Sequence, residues 1–203
     1  MLITVAGRDV QQQDRLPPEF DSPWAQQSPY ELFWLLSEIA GSTSILEIGS
    51  CYGNALRMFA LAMAGGKIVA IDMGTLGPAS ALYWGVDVSE RLKQTAKDLY
   101  DCGFGVHLMF GDSHDAKTVE WAKQHGPYDF VFIDGDHTYE GVKRDWLDYG
   151  PLGRKVGFHD IANKAYASGV VQFWNELKQQ DGLIIKEKID SRHSMGIGLV
   201  EWS

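Results

Sequence analysis

The chain has 203 residues, 45% of them hydrophobic and 22% charged, which suits a single globular domain with room for a core. A net charge of −9 without an extended Lys/Arg cluster argues against nucleic acid as a partner, because neutralising phosphates needs a concentrated positive face. Two cysteines, Cys51 and Cys102, are too few for a disulfide framework and fit a reducing cytoplasm; no leader-like start and no run of about 18 apolar residues speaks for secretion or a membrane.

Residues 1–27 are polar and proline-bearing (Pro17, Pro18, Pro23) and read as an arm or cap ahead of a domain spanning 28–203. Ser28-Pro29-Tyr30-Glu31 predicts a helix start: a Ser cap, Pro in the first turn and Glu three positions on as a capping box. Leu32, Leu35, Leu36 and Ile39 give that helix an apolar face, and Gly41 ends it. The chain then alternates. Strands are predicted at 44–50, 67–72, 106–112, 128–134 and 155–161, with helices at 54–64, 89–102, 116–124, 139–149 and 169–179. Residues 73–88 read as a Gly-rich aromatic loop. Two last strands, 182–190 and 196–202, have no helix between them.

This pattern predicts a doubly wound, mostly parallel seven-stranded α/β sheet of Rossmann-like type, closed by an antiparallel C-terminal hairpin. Ligands of such sheets sit beyond the C-terminal strand ends. The polar residues there are Glu47 and Gly49, Asp72, Asp112 and Ser113, Asp134, Asp136 and His137, and His159 and Asp160.

The first strand runs into Gly49-Ser50-Cys51-Tyr52-Gly53. Small residues let a ligand approach the backbone there, and the helix that follows adds donors. The spacing is not the G-x-G-x-x-G of dinucleotide sites. Glu47 beside the loop would repel a pyrophosphate and attract a cation. S-adenosylmethionine carries both an ammonium and a sulfonium. Asp72 is placed to accept from ribose hydroxyls, and Asp112 and Ser113 to meet the adenine edge. Cys51 reads as a small packed residue rather than a nucleophile.

Three carboxylates, Asp134, Asp136 and Asp160, would repel one another if the fourth and fifth strands were neighbours. A divalent cation relieves this, and Mg²⁺, or Mn²⁺ in its stead, would leave room for a substrate oxygen.

The order E-I-G-x-x-x-G, V-A-I-D, F-G-D-S, Y-D-F-V-F-I-D-G-D-H-T-Y-E-G-V-x-x-D and G-F-H-D-I resembles the class I S-adenosylmethionine-dependent methyltransferases, and within them methyltransferase family 24. That family is related to metal-dependent O-methyltransferases of small molecules such as sugars and catechols. The resemblance runs from Ser28 to Trp202, and "IDGDHTYEGV" is its most specific part. It implies a cofactor site of Glu47, Gly49, Ser50, Tyr52, Gly53, Asp72, Asp112 and Ser113, with Glu47 near the methionine end. It implies Asp134 and Asp160 as metal ligands and His137, three positions after Asp134, as general base toward a hydroxyl of a small acceptor. Two positions depart from the pattern. Ile161 stands where catechol-type enzymes have Asn, and His159 where sugar-type enzymes have Glu. The third ligand is therefore open between His159, the candidate taken here, Asp136 and Asn163.

Other residues carry plainer readings. Asp136 can cap the helix after it, Asp145 reads as solvated or Arg-paired, and His107 as a structural histidine. His114 is a candidate neighbour of the cofactor. Tyr83 and Trp84 in the 73–88 loop read either as substrate contacts or as packing against the arm, Trp24 in the arm as a pocket or subunit contact, and Arg192 and His193 in the closing loop as candidate substrate contacts. Two other functions compete: a cofactor-binding assembly module without catalysis, and a dinucleotide-dependent oxidoreductase. The sequence leaves a homo-oligomer open.

Overall fold

Ile45, Ile68, Phe130 and Phe132 belong to one buried cluster, and Leu46, Val69, Val131 and Val156 to another. Neighbours in sequence thus fall on opposite faces, as the period of a strand requires. Central strands that bury both faces must be nearly all apolar, and "SILEI", "KIVAID" and "YDFVFI" are.

The computed structural model describes residues 2–5, 8–11, 27–75, 88–192 and 195–203. Trp24, Tyr83, Trp84 and His193 lie outside the described residues. Strands β1 (Leu2–Val5) and β2 (Arg8–Gln11) pair as an antiparallel ribbon within the predicted arm. The remaining elements run α1 (Pro29–Glu38), β3 (Ser44–Ile48), α2 (Asn54–Ala62), β4 (Lys67–Asp72), α3 (Val88–Asp101) and β5 (Gly105–Phe110). Then come α4 (Ala116–His125), β6 (Tyr128–Ile133), α5 (Tyr139–Tyr149), β7 (Gly153–His159), α6 (Ser168–Leu177), β8 (Leu183–Lys188) and β9 (Ile197–Trp202).

The seven-stranded sheet has the order β5-β4-β3-β6-β7-β9-β8. All pairs are parallel except those made by β9, which runs antiparallel to both β7 and β8. The doubly wound sheet and its C-terminal hairpin are therefore as predicted, with β9 inserted and β8 on the edge. Helices α1, α2 and α3 supply one buried cluster, and α4, α5 and α6 the other. Each Leu, Ile or Phe taken fully out of water adds roughly 1.5–3 kcal/mol. The strand order reverses between β3 and β6, so the crevice expected of such sheets lies beyond the C-terminal ends of these two strands.

Two local readings are corrected. The start of α1 is where the sequence placed it, but no capping box forms. The Ser28 hydroxyl donates to Asp190 Oδ2 (2.8 Å) instead of capping. Glu31, fully buried, accepts from the backbone N–H groups of Asp190 (2.6 Å) and Gly196 (3.1 Å). The β8–β9 loop outcompetes the helix terminus for both side chains. Asp145 is not solvated: it lies at 0% exposure on the inner face of α5 with Val142, Trp146 and Tyr149.

Candidate functional site

The chain leaves β3 through a backbone only glycine adopts easily. Gly49 has φ +83°, and its N–H donates to Ile71 O (2.8 Å) on β4. A Cβ at Gly49 would lie 2.2 Å from Asp134 O, so the loop must pass the β6 end bare. Cys51 takes the left-handed region as well, at φ 48°. Its N–H donates to Asp72 Oδ2 (2.7 Å), while Gly74 N–H donates to Oδ1 (2.7 Å). Asp72 thus organises its own turn and the glycine loop together. Gly53 begins α2 at φ +76°, close under the Thr95 methyl. Thr95 Oγ1 donates to Tyr52 O (2.8 Å), and Arg91 lies over the Tyr52 ring.

Glu47 is buried at 1% exposure, and Glu47 Oε2 and the Ser50 hydroxyl have no hydrogen-bond partner among the described residues. Burial, with Asp134 and Asp72 nearby, pushes the Glu47 carboxyl up to about 8. A carboxyl raised this far by burial is drawn back toward ionisation by a cation placed beside it. Gly111 N–H donates to Asp72 O (2.9 Å), so the β5 end joins this rim, and Asp112 and Ser113 follow on it. Asp112 is exposed and holds His114 N–H (2.8 Å), and Ser113 O accepts from the Tyr149 hydroxyl.

The β6 and β7 ends meet, since the two strands are neighbours. Asp134 Oδ1 lies 3.3 Å from His137 Nε2 and 3.1 Å from His159 Nδ1; Oδ2 accepts from Gln27 Nε2 (3.1 Å). Asp160 Oδ2 lies 3.5 Å from His137 Nδ1 and 3.6 Å from His159 Nδ1, and its Oδ1 accepts from Asn163 Nδ2 (3.0 Å). Asp160 has φ +61°, a strained backbone for a residue other than glycine.

Charge pairing outweighs burial here. Burial alone would raise the Asp134 carboxyl, but the imidazoles of His159 and His137 hold it down at about 2. Burial would lower His159, yet Asp134 and Asp160 lift it to about 9. The hydrogen bond to Asp134 raises His137 above its ordinary value.

One ligand atom each from Asp134, His137 and Asp160 lie within 4.8 Å of one another, a donor set of two oxygens and a nitrogen that a divalent cation accepts. His159, the candidate third ligand, borders the same carboxylates through Nδ1, and its Nε2 is buried without a partner among the described residues. Asp136 is engaged elsewhere: its Oδ1 accepts from Thr138 N–H (2.8 Å), and Thr138 caps α5 through Gly141 N–H (3.0 Å). His107 packs against the His125 ring. Arg192 folds back on Asp190 (2.8 Å). A pocket of about 460 Å³ lies at the other end of the sheet, beside Asp129, Arg154 and Lys155 where β6 and β7 begin.

Gln27 and Glu31 reach this site without any signal in the sequence, since both arrive by the docking of α1. Asp145 carried a readable signal: the spacing of Val142, Asp145, Trp146 and Tyr149 puts all four on one helix face.

A family model described as a methyltransferase domain matches residues 46–161. No curated protein matches the chain. Among solved structures, it is similar to an O-methyltransferase from Bacillus cereus in complex with SAH, at 18% identity over 86% of this chain and 82% of that one, with a TM-score of 0.61. It is similar to the O-methyltransferase TomG from Streptomyces achromogenes, involved in tomaymycin synthesis and solved with SAM: 18% identity, 91% and 85% coverage, TM-score 0.62. A methyltransferase from Geobacter sulfurreducens is likewise similar, at 19% identity, 91% and 83% coverage and a TM-score of 0.59. At these identities the likeness is one of fold.

Proposed function

Since this chain belongs to the methyltransferase domain family and is a class I S-adenosylmethionine-dependent methyltransferase, we propose that it methylates a hydroxyl oxygen of a small molecule, with His137 as general base. The observation that carries this reading is the meeting of Asp134, His137 and Asp160 beside the glycine loop, with the Gly49 backbone against Asp134 O. S-adenosylmethionine supplies a methyl group on a sulfonium, and its departure leaves neutral S-adenosylhomocysteine. Glu47, Gly49, Ser50, Tyr52, Gly53, Asp72, Asp112 and Ser113 hold it, Glu47 toward the cationic methionine end and Asp72 toward the ribose. Glu47 Oε2 and the Ser50 hydroxyl, both buried and without a geometric hydrogen-bond partner among the described residues, support this fit.

His137 takes the proton from the acceptor hydroxyl as the C–O bond forms and the C–S bond breaks. Asp134 steadies the resulting imidazolium, being 3.3 Å away and ionised over the whole working range. Asp134 and Asp160 would hold Mg²⁺ or Mn²⁺, with His159, after giving up its proton, as nitrogen ligand and His137 left free as base. Such an ion lowers the pKa of a bound hydroxyl. The catalytic domain is 28–203 with 1–27 as an arm. The setting is cytoplasmic and the acceptor a small molecule rather than nucleic acid, in keeping with the acidic surface. No helix among the described residues is long and apolar enough to cross a membrane.

Calorimetry with S-adenosylhomocysteine and with NAD tests the cofactor class: the first binds and the second does not. His137→Ala and Asp134→Ala keep binding S-adenosylhomocysteine but lose methyl transfer. Two fully active variants would overturn the assignment.

A further inference from the structure

Asp145 has no part in the chemistry above, yet it is a buried carboxylate at 0% exposure with both oxygens lacking a hydrogen-bond partner among the described residues. Folds normally pair such a group or do without it, because burying an unpaired charge is costly. Burial pushes its carboxyl up to about 6; Ser113 and His114 pull it down, and Asp136 and Asp148 push it up. His114 Nε2 stands 3.2 Å from Oδ1, within ion-pair reach but out of line for a hydrogen bond, and makes no other hydrogen bond among the described residues. Ser113 and His114 thus stand beside the carboxyl and act on it, but without an aligned hydrogen bond.

Their position gives this meaning. Ser113 and His114 continue the rim on which Gly111 is tied to Asp72. Helix α5 already grips that loop twice: the Tyr149 hydroxyl donates to Ser113 O, and Arg144 Nη2 donates to His114 O (3.4 Å). On its other side Asp145 lies under the catalytic turn, where a Cβ at Gly135 would stand 3.5 Å from Oδ2. One side chain therefore sits between the adenine rim and the residue next to Asp134.

We propose that Asp145 is a positioning residue for the cofactor: when adenine settles against residues 111–114, the Ser113 hydroxyl and the His114 ring swing from mere proximity into aligned hydrogen bonds with its oxygens, and α5 fixes the Asp134–His137 turn at the same moment. The inference rests on the S-adenosylmethionine reading, which wild-type binding of S-adenosylhomocysteine tests by itself.

The test is calorimetric titration with S-adenosylhomocysteine of Asp145→Asn, Asp145→Leu, Ser113→Ala and the double variant Asp145→Asn/Ser113→Ala, beside ligand-free melting curves at pH 8. A residue held for binding rather than folding gives an unusual pair of results. The Asp145→Asn protein melts at or above the wild-type temperature, because an unpaired buried charge has gone, yet binds about tenfold or more weakly, as expected for a lost hydrogen bond to a charged group. The double variant binds no more weakly than the weaker single one, since both remove the same contact. Unchanged affinity, additive losses, or lower melting temperatures in both Asp145 variants would overturn the proposal; failure of the wild type to bind would overturn it together with the cofactor reading.

Discussion

Gly49 and Asp134 touch through their backbones: a Cβ on the glycine would stand 2.2 Å from the Asp134 carbonyl oxygen. The glycine loop after β3 and the turn that carries Asp134 are thus held at one contact, at the point where the strand order reverses. Gly49→Ala is expected to break it. The methyl group collides, and φ +83° adds backbone strain of about 1–2 kcal/mol. Calorimetry should show at least tenfold weaker binding of S-adenosylhomocysteine, with a lowered melting temperature. An alanine variant that binds like the wild type would show the contact to be irrelevant.

A pH profile tests the general base. His137 must be neutral to accept a proton, and its hydrogen bond to Asp134 raises its pKa above 6.5. The rate constant kcat/KM should therefore fall on the acid side, beginning above pH 6.5. Asp134→Asn removes the cause of the shift, so the acid limb should move to lower pH even as the rate drops. His137→Gln should cost about 10²–10⁴-fold and flatten that limb. An acid limb that survives in His137→Gln belongs to another group.

The sheet was legible because buried parallel strands are written as short apolar runs, and "SILEI", "KIVAID" and "YDFVFI" each end in polar residues at the crevice. The order within the C-terminal hairpin is written more faintly, in Lys186, Glu187 and Lys188, which suit an edge strand, and "IGLV", which suits a covered one. The roles of Gln27 and Glu31 were illegible for a different reason. A side chain that bonds across 107 residues, as Gln27 does to Asp134, leaves no trace at short spacing. Glu31 even mimics a capping signal that the closing loop overrides.

Glu47 should show a trade between stability and binding. Its carboxyl is raised from an ordinary 4.5 to about 8. A group shifted this way contributes its full stability below pH 4.5 and loses it as pH rises through 8. Glu47→Gln should therefore melt above the wild type at pH 8 or higher, by a difference on the order of 4 kcal/mol in the empty protein, and show no gain near pH 4.5. S-adenosylmethionine should bind the variant more weakly, since the methionine end loses its anionic partner. Wild-type binding should also release a proton as Glu47 ionises, seen as a dependence of the calorimetric heat on buffer. A variant that melts lower at pH 8, or a heat independent of buffer, contradicts the buried neutral acid.

Asp160 separates backbone strain from chemistry. It holds φ +61° at the end of β7, where glycine is at ease and a β-branched residue is not. Asp160→Gly should therefore melt close to the wild type, losing the Asn163 hydrogen bond but shedding the strain, whereas Asp160→Val should cost about 1–3 kcal/mol. Binding of Mn²⁺, followed by electron paramagnetic resonance, should be lost in Asp160→Gly and Asp134→Asn alike, because each removes one of only two carboxylates in the convergent set. Chelation should lower wild-type turnover, and added Mg²⁺ should restore it. If Asp160→Gly binds Mn²⁺ as the wild type does, the ion is not held by this pair, and the strained backbone at Asp160 serves some other purpose than presenting a ligand.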